Sequence, residues 1–228
     1  MTVRVLDVET TGFDAANDHI IEIASIDLEQ EHGYTNAMET MVALPEGCTI
    51  PPEISGITHI IDEDLVNALP RSDAFDKFVG ADYYVAHNAA FDSQWFPTAY
   101  KNWICTMKCA AYTFPDAPNY KNQTLRYYLG LAQPFGIRRQ SIDPHRALSD
   151  VLVTAAIFYE IQKRMGFRKM VEVSKQPMII RKFTFGKHKG QRLTEVPADY
   201  LNWIKSANDI DPDLKWNVQN ELQRRSNG

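Results

Sequence analysis

No apolar run in this 228-residue chain reaches about 18 residues, so the sequence predicts no membrane span. No basic leader precedes the first strand-like segment. Cysteine is scarce, with only Cys48, Cys105 and Cys109. The last two lie four apart without a second pair or a nearby His, which argues against a zinc site. Their odd number suits reduced thiols in a cytoplasmic protein. The sequence also lacks a glycine-rich phosphate loop, which leaves a nucleotide-sugar or small-molecule α/β enzyme without support. Internal repeats and low-complexity tracts are missing. Nor is there an excess of positive charge: 24 Lys/Arg face 29 Asp/Glu, net −5, unlike a generic DNA-coating protein. An acidic total does not exclude a nucleic-acid substrate, because nucleases need carboxylates at their centre.

The 44% hydrophobic content suits one full-sized domain plus a small appendage. Short apolar runs predict strands over 3–8, 20–28 and 37–43, joined closely enough for an antiparallel meander, then over 83–86 and 103–105. Helical patterns cover 63–69, 72–79 (with Ser72 as N-cap), 90–100, 106–112 and 125–129. Over 147–165, Leu148, Val151, Leu152, Ala155, Phe158 and Tyr159 share one face, which Ile161 and Met165 widen. The order predicts an α/β fold with a mixed sheet flanked by helices. The expected domains are 1–165, a linker over 166–177 marked by Pro177, and a small α+β module over 178–228 with helices over 199–205 and 214–225. Charge is split between them. Residues 166–228 carry 12 Lys/Arg and 7 Asp/Glu, net +5, whereas residues 1–165 carry net −10. The tail is the electrostatic attractor, if the chain has one.

Asp7, Glu9, Asp92 and Asp150 stand beside apolar elements, where carboxylates are costly unless paired or metal-bound. Two apart on a strand, Asp7 and Glu9 point to the same face and repel. A divalent cation is the simplest partner for such a set, and hard oxygen ligands favour Mg²⁺ or Mn²⁺. Two cations can orient a water, offset phosphoryl charge and help an alkoxide leave. His145, five residues before Asp150 in a proline-rich loop, is the candidate base, on a segment expected to be mobile. Taken singly, each acid could be a turn or first-turn helix residue, and His145 a surface or capping residue.

Three motifs now stand in order: Asp7-Val8-Glu9-Thr10-Thr11-Gly12, His87-Asn88-Ala89-Ala90-Phe91-Asp92 and His145-Arg146-Ala147-Leu148-Ser149-Asp150. Over residues 3 to about 165 the chain resembles the DEDDh 3′→5′ exonucleases, the DnaQ-like group. The resemblance implies an RNase H-like fold, two Mg²⁺ ions (with Mn²⁺ able to substitute) and release of nucleoside 5′-monophosphates from 3′ ends. It also implies that Asp7, Glu9, Asp92 and Asp150 are metal ligands and His145 the general base. The segment Trp103-Ile104-Cys105-Thr106-Met107-Lys108 and the Phe183–Gly190 stretch are similar to the bacterial exonuclease X branch, whose members act on DNA. Ser55 stands where many relatives carry His before the glycine.

The expected partner is therefore a DNA 3′ end, single-stranded or duplex, in DNA repair, with no membrane partner and a monomeric or homodimeric chain. RNA trimming by the same fold is the alternative, as is a polymerase-associated proofreading module. On the substrate side, Thr10, Thr11 and Gly12 either offer backbone N–H groups to the terminal nucleotide or form an ordinary turn. Phe13 either stacks on the end of the strand or packs in the core, and Phe91 stands under the same alternatives. His87 and Asn88 flank the second motif, and the resemblance adds Ile57 and Thr58 to the nucleotide pocket. Lys187, Lys189 and Arg192 either grip phosphates or form a solvated turn, with Phe183 and Phe185 expected on one strand face.

Overall fold

The structure is a computed structural model describing residues 1–30 and 32–227. It opens with three antiparallel strands, β1 (Val3–Thr10), β2 (Ile20–Leu28) and β3 (Tyr34–Met41). Two helices, α1 (Pro52–Thr58) and α2 (Arg71–Phe78), lead to β4 (Tyr83–Ala86), which pairs parallel to β1. A short helix α3 (Ala89–Ser93) then precedes β5 (Trp103–Cys105), parallel to β4. The sheet order is β3-β2-β1-β4-β5. This is the expected mixed sheet.

After β5 come α4 (Thr106–Thr113), α5 (Asn122–Tyr128), the long α6 (Ala147–Met165) and α7 (Phe167–Ser174). The tail carries α8 (Ala198–Ser206) and α9 (Pro212–Ser226). Among the described residues, no helix is long and apolar enough to cross a membrane.

The period of two along β1 explains how the fold builds its centre. Val3 and Val5 belong to the core layer that holds Val151, Ala155 and Phe158 of α6. Leu6 and Val8 belong to the opposite layer, with Phe78 of α2, Tyr84 and Trp95. Asp7 and Glu9 continue the Val3–Val5 row, so the acidic pair emerges on the α6 side of the sheet. The pleat that buries two valines thus delivers two carboxylates to the helix that carries Asp150.

Several elements differ from the sequence expectation. The helix expected over 90–100 stops at Ser93, four residues before Pro97, which cannot supply a helical N–H. The helix expected over 63–69 shrinks to a 3₁₀ turn, Asp62–Leu65. Ser72 lies inside α2, where Pro70 takes the N-cap position and no side chain caps. The segment expected as a linker contains α7, whose Met170 and Val173 are buried in the main core. Its apolar residues recur at helical spacing, and Gly166 breaks α6 from it at φ 73°.

Candidate active site

Asp7, Glu9, Asp92 and Asp150 converge with His145 on one cleft of about 430 Å³, which Thr10, Gly12, Phe13, Ile57, Thr58, His87, Asn88 and Phe91 also line. The cleft sits outside the carboxyl ends of β1 and β4, where α/β sheets place their ligands. The four acids come from three elements. Asp7 and Glu9 end the inward row of β1. Asp92 sits buried in the first turn of α3. Asp150 sits in the first turn of α6 and accepts from the Gln123 side chain at 2.9 Å and the His145 amide at 2.9 Å.

Electrostatics sets these four apart from the other buried acids. Asp27 is gripped by Arg4 at 2.7 and 2.9 Å. Glu22 is held by Arg146 at 2.7 Å and by the Ala147 amide at 2.8 Å. Among the described residues, none of the four cleft acids forms an ion pair with Lys or Arg. Burial pushes the Asp7 carboxyl well above its ordinary range, and the charges of Asp92, Asp150 and Glu9 push it further. Burial, then repulsion from Asp150 and Glu22, raises Glu9 to about 8. Burial raises Asp92 to about 8, and Asp150 is also raised by burial. A fold that pairs its structural acids and leaves four together without a cation is built to receive one. The donor set is oxygen-rich, which fits a hard divalent ion. Glu9, His145 and Asp150 bring one ligand atom each within 4.8 Å of one another.

The metal-free protein should accordingly lose stability as pH rises. Glu9 and Asp92 bind protons up to about pH 8 when folded, but only to about pH 4 when unfolded. Between those limits the native state holds more protons, so unfolding free energy falls with pH. Melting in chelator should drop by a few degrees per pH unit from pH 5 to 8. Mn²⁺ should raise the melting temperature more at pH 8 than at pH 6. Equal shifts at both values would contradict the like-charge cluster.

The His145 segment, expected to be mobile, is hydrogen-bonded along its backbone. The His145 amide is tied to Asp150, and the next two residues are tied to Glu22 on β2. His145 itself adopts φ 63°, a left-handed conformation that His tolerates better than most residues. Its backbone is thus pinned from both sides while its side chain stays exposed.

The substrate-side residues divide. Phe13 is 82% exposed, which removes the core-packing alternative. Its ring lies 6.2 Å from that of Phe91, edge to face. Phe91 serves both alternatives, since it lines the cleft and packs against the core. Ile57 is exposed and Thr58 buried, and both border the cleft. Thr11 does not line it: its amide donates to the His19 carbonyl and its hydroxyl accepts from the His19 amide. A Cβ at Gly12 would meet the Asp18 carboxylate, which would have to shift to admit it. His87 is committed to structure. Its Nε2 donates to the Tyr120 carbonyl at 2.7 Å, its Nδ1 meets the Thr106 hydroxyl at 2.9 Å, and burial lowers it to about 4.

Sequence reasoning missed Asn122, which lines the cleft and bonds Thr154 at 2.8 Å, and Gln123 on Asp150. An Asn-Gln pair opening a helix was the available signal. Lys187, Lys189 and Arg192 lie in the tail and do not border this cleft. Phe183 and Phe185 do not share a strand face: Phe183 is buried in the tail core and Phe185 is 41% exposed.

Known proteins resemble this chain throughout. A family model described as exonuclease (RNase T) matches residues 5–158. A second, described as "Putative quorum-sensing-regulated virulence factor", matches residues 174–209. Exodeoxyribonuclease 10 of Escherichia coli K12 is 32% identical, covering 97% of this chain and 99% of that protein. DNA polymerase III subunit epsilon of Aquifex aeolicus is 29% identical over 73% of this chain and 83% of its own length. The structure of exonuclease X in complex with 5′ overhanging duplex DNA superposes with TM-score 0.64 at 31% identity, covering 75% of this chain and 99% of that one. That of E. coli exonuclease I with a dA16 oligonucleotide shares the fold, with TM-score 0.60 at 16% identity over 75% of this chain and 42% of that one. With a matching domain model over most of its length and a near full-length relative, this chain belongs to the DEDDh (DnaQ-like) exonuclease family.

Proposed function

We propose that the chain is a divalent-metal-dependent 3′→5′ exodeoxyribonuclease that releases nucleoside 5′-monophosphates and acts on DNA ends in repair. The observation that carries the reading is the convergence of Asp7, Glu9, Asp92 and Asp150 beside His145, with no ion pair from Lys or Arg to the four acids among the described residues. The names of its relatives, an exodeoxyribonuclease and an exonuclease bound to duplex DNA, favour DNA over RNA.

In this reading the four acids hold two Mg²⁺ ions, which supply charge stabilisation for phosphodiester hydrolysis. His145 takes the proton from the attacking water, its backbone set by Asp150 and the Glu22–Arg146 pair. Phe13, exposed beside Phe91, stacks on the terminal base. Thr10, Gly12, Ile57, Thr58 and Asn88 border the sugar and base, while His87 props the wall. Lys187, Lys189 and Arg192 give the tail a phosphate contact away from the cleft.

Digestion of 5′-labelled single-stranded DNA, 5′-overhang duplex and RNA with Mg²⁺ or Mn²⁺ tests this. A ladder shortening from the 3′ end, with nucleoside 5′-monophosphates as product, is expected on DNA. Undiminished activity in chelator would sink the metal mechanism. Degradation of RNA alone would reassign the substrate.

A further inference from the structure

A second cleft, of about 350 Å³, lies between the loop 115–121 and the segment 178–185 that begins the tail. It is walled largely by Pro, Met, Ile and Phe side chains and rimmed by Lys121, Arg181 and Lys182. Phe185 stands exposed at its edge. Arg181 acts as a strut, donating to the Ala111 carbonyl. The ammonium groups of Lys121 and Lys182 have no acidic partner among the described residues. One acid, Asp211, also borders the cleft.

This cleft abuts the first. Tyr120 lines it, and the Tyr120 carbonyl accepts from His87, which lines the carboxylate cleft. Asn122, two residues on, lines the carboxylate cleft directly. Two residues span at most about 7 Å of chain, so whatever occupies one cleft can reach the other. We propose that the second cleft is a nucleic-acid subsite, holding an unpaired nucleotide of the strand whose 3′ end lies among the carboxylates. The proposal rests on the exonuclease reading above. An apolar slot with an exposed aromatic and two unpaired lysines matches a base face flanked by phosphates. It is charge-complementary to a polyanion that the net −10 body repels. It also joins the tail to catalysis at Lys182 and Phe185, away from the Lys187–Lys189 turn.

The test compares Phe185→Ala and a double variant, Lys121→Ala with Lys182→Ala, with the parent, all at exposed positions. Binding of a fluorescent 12-nucleotide single-stranded DNA is measured by anisotropy in an Asp7→Asn background. Hydrolysis of p-nitrophenyl thymidine 5′-monophosphate, which fills only the carboxylate cleft, is measured in the active background. Phe185→Ala should weaken oligonucleotide binding roughly 5- to 100-fold. Lys182→Ala with Lys121→Ala should flatten the salt slope by roughly 1.4. Ester hydrolysis should stay unchanged in all of them. Unchanged affinity and salt slope overturn the subsite and leave the slot to a protein partner. The binding arm needs no catalysis, so failure of the exonuclease reading appears separately, as a wild type that degrades no strand.

Discussion

Asp7→Asn is expected to lower turnover at least about a thousandfold while raising the melting temperature of the metal-free protein. The two effects have one cause. Burial first, and then the charges of Asp92, Asp150 and Glu9, push the Asp7 carboxyl well above its ordinary range. Asn keeps its volume and most of its packing, but removes a negative charge and a hard oxygen ligand. A thousandfold corresponds to about 4 kcal/mol of transition-state stabilisation. A buried ligand to a catalytic ion readily supplies that. Without metal, the same substitution removes an acid that the low-dielectric cleft accepts only in its protonated form, so at neutral pH the fold gains. Such opposite signs are what a functional site held at the expense of stability produces. Rates on a 5′-labelled oligonucleotide and thermal melts in chelator measure both. Activity within tenfold of the parent would remove Asp7 from the centre, and a lower metal-free melting temperature would make it a structural acid.

What the sequence revealed, and what it hid, follows from range. Strands β2, β4 and β5 and helix α6 were legible to the residue, because each is a dense apolar run ended by a polar or glycine break. The four acids were legible as a set because their cost on apolar elements is local, and His145 through its spacing from Asp150. Features that depend on partners distant in sequence were not. Nothing near Glu22 announces that it will anchor Arg146, 124 residues later. Nothing near Thr11 says that His19 will take its amide. The exposure of Phe13 against the burial of Phe183 is likewise a tertiary outcome, since both sit in similar local settings. Helix α7 falls in the segment that Pro177 marks as a linker, while its burial against the main core depends on β5 and α4. The charge split was visible, but only the fold shows that the tail begins beside the loop bordering the carboxylates.

His145→Asn is expected to lower turnover by about 10²- to 10⁴-fold, the usual contribution of a positioned general base, and to leave metal binding intact. Asn is the better probe than Ala, for position 145 holds φ 63°. Asn tolerates that region, whereas a Cβ without a local hydrogen bond costs roughly 1–2 kcal/mol there. The His145 amide bond to Asp150 then survives, and only the imidazole is lost. The geometry admits a competing role, because His145 lies with Glu9 and Asp150 within 4.8 Å, close enough to share an ion. The two roles separate in one melt. A base leaves the stabilisation by Mn²⁺ at its parental size while turnover collapses. A ligand takes the stabilisation down with the rate. The anchoring of the loop favours the base. Hydrogen bonds to Asp150 and Glu22 hold the backbone in place, and the exposed imidazole is the part left free to meet the water and the strand.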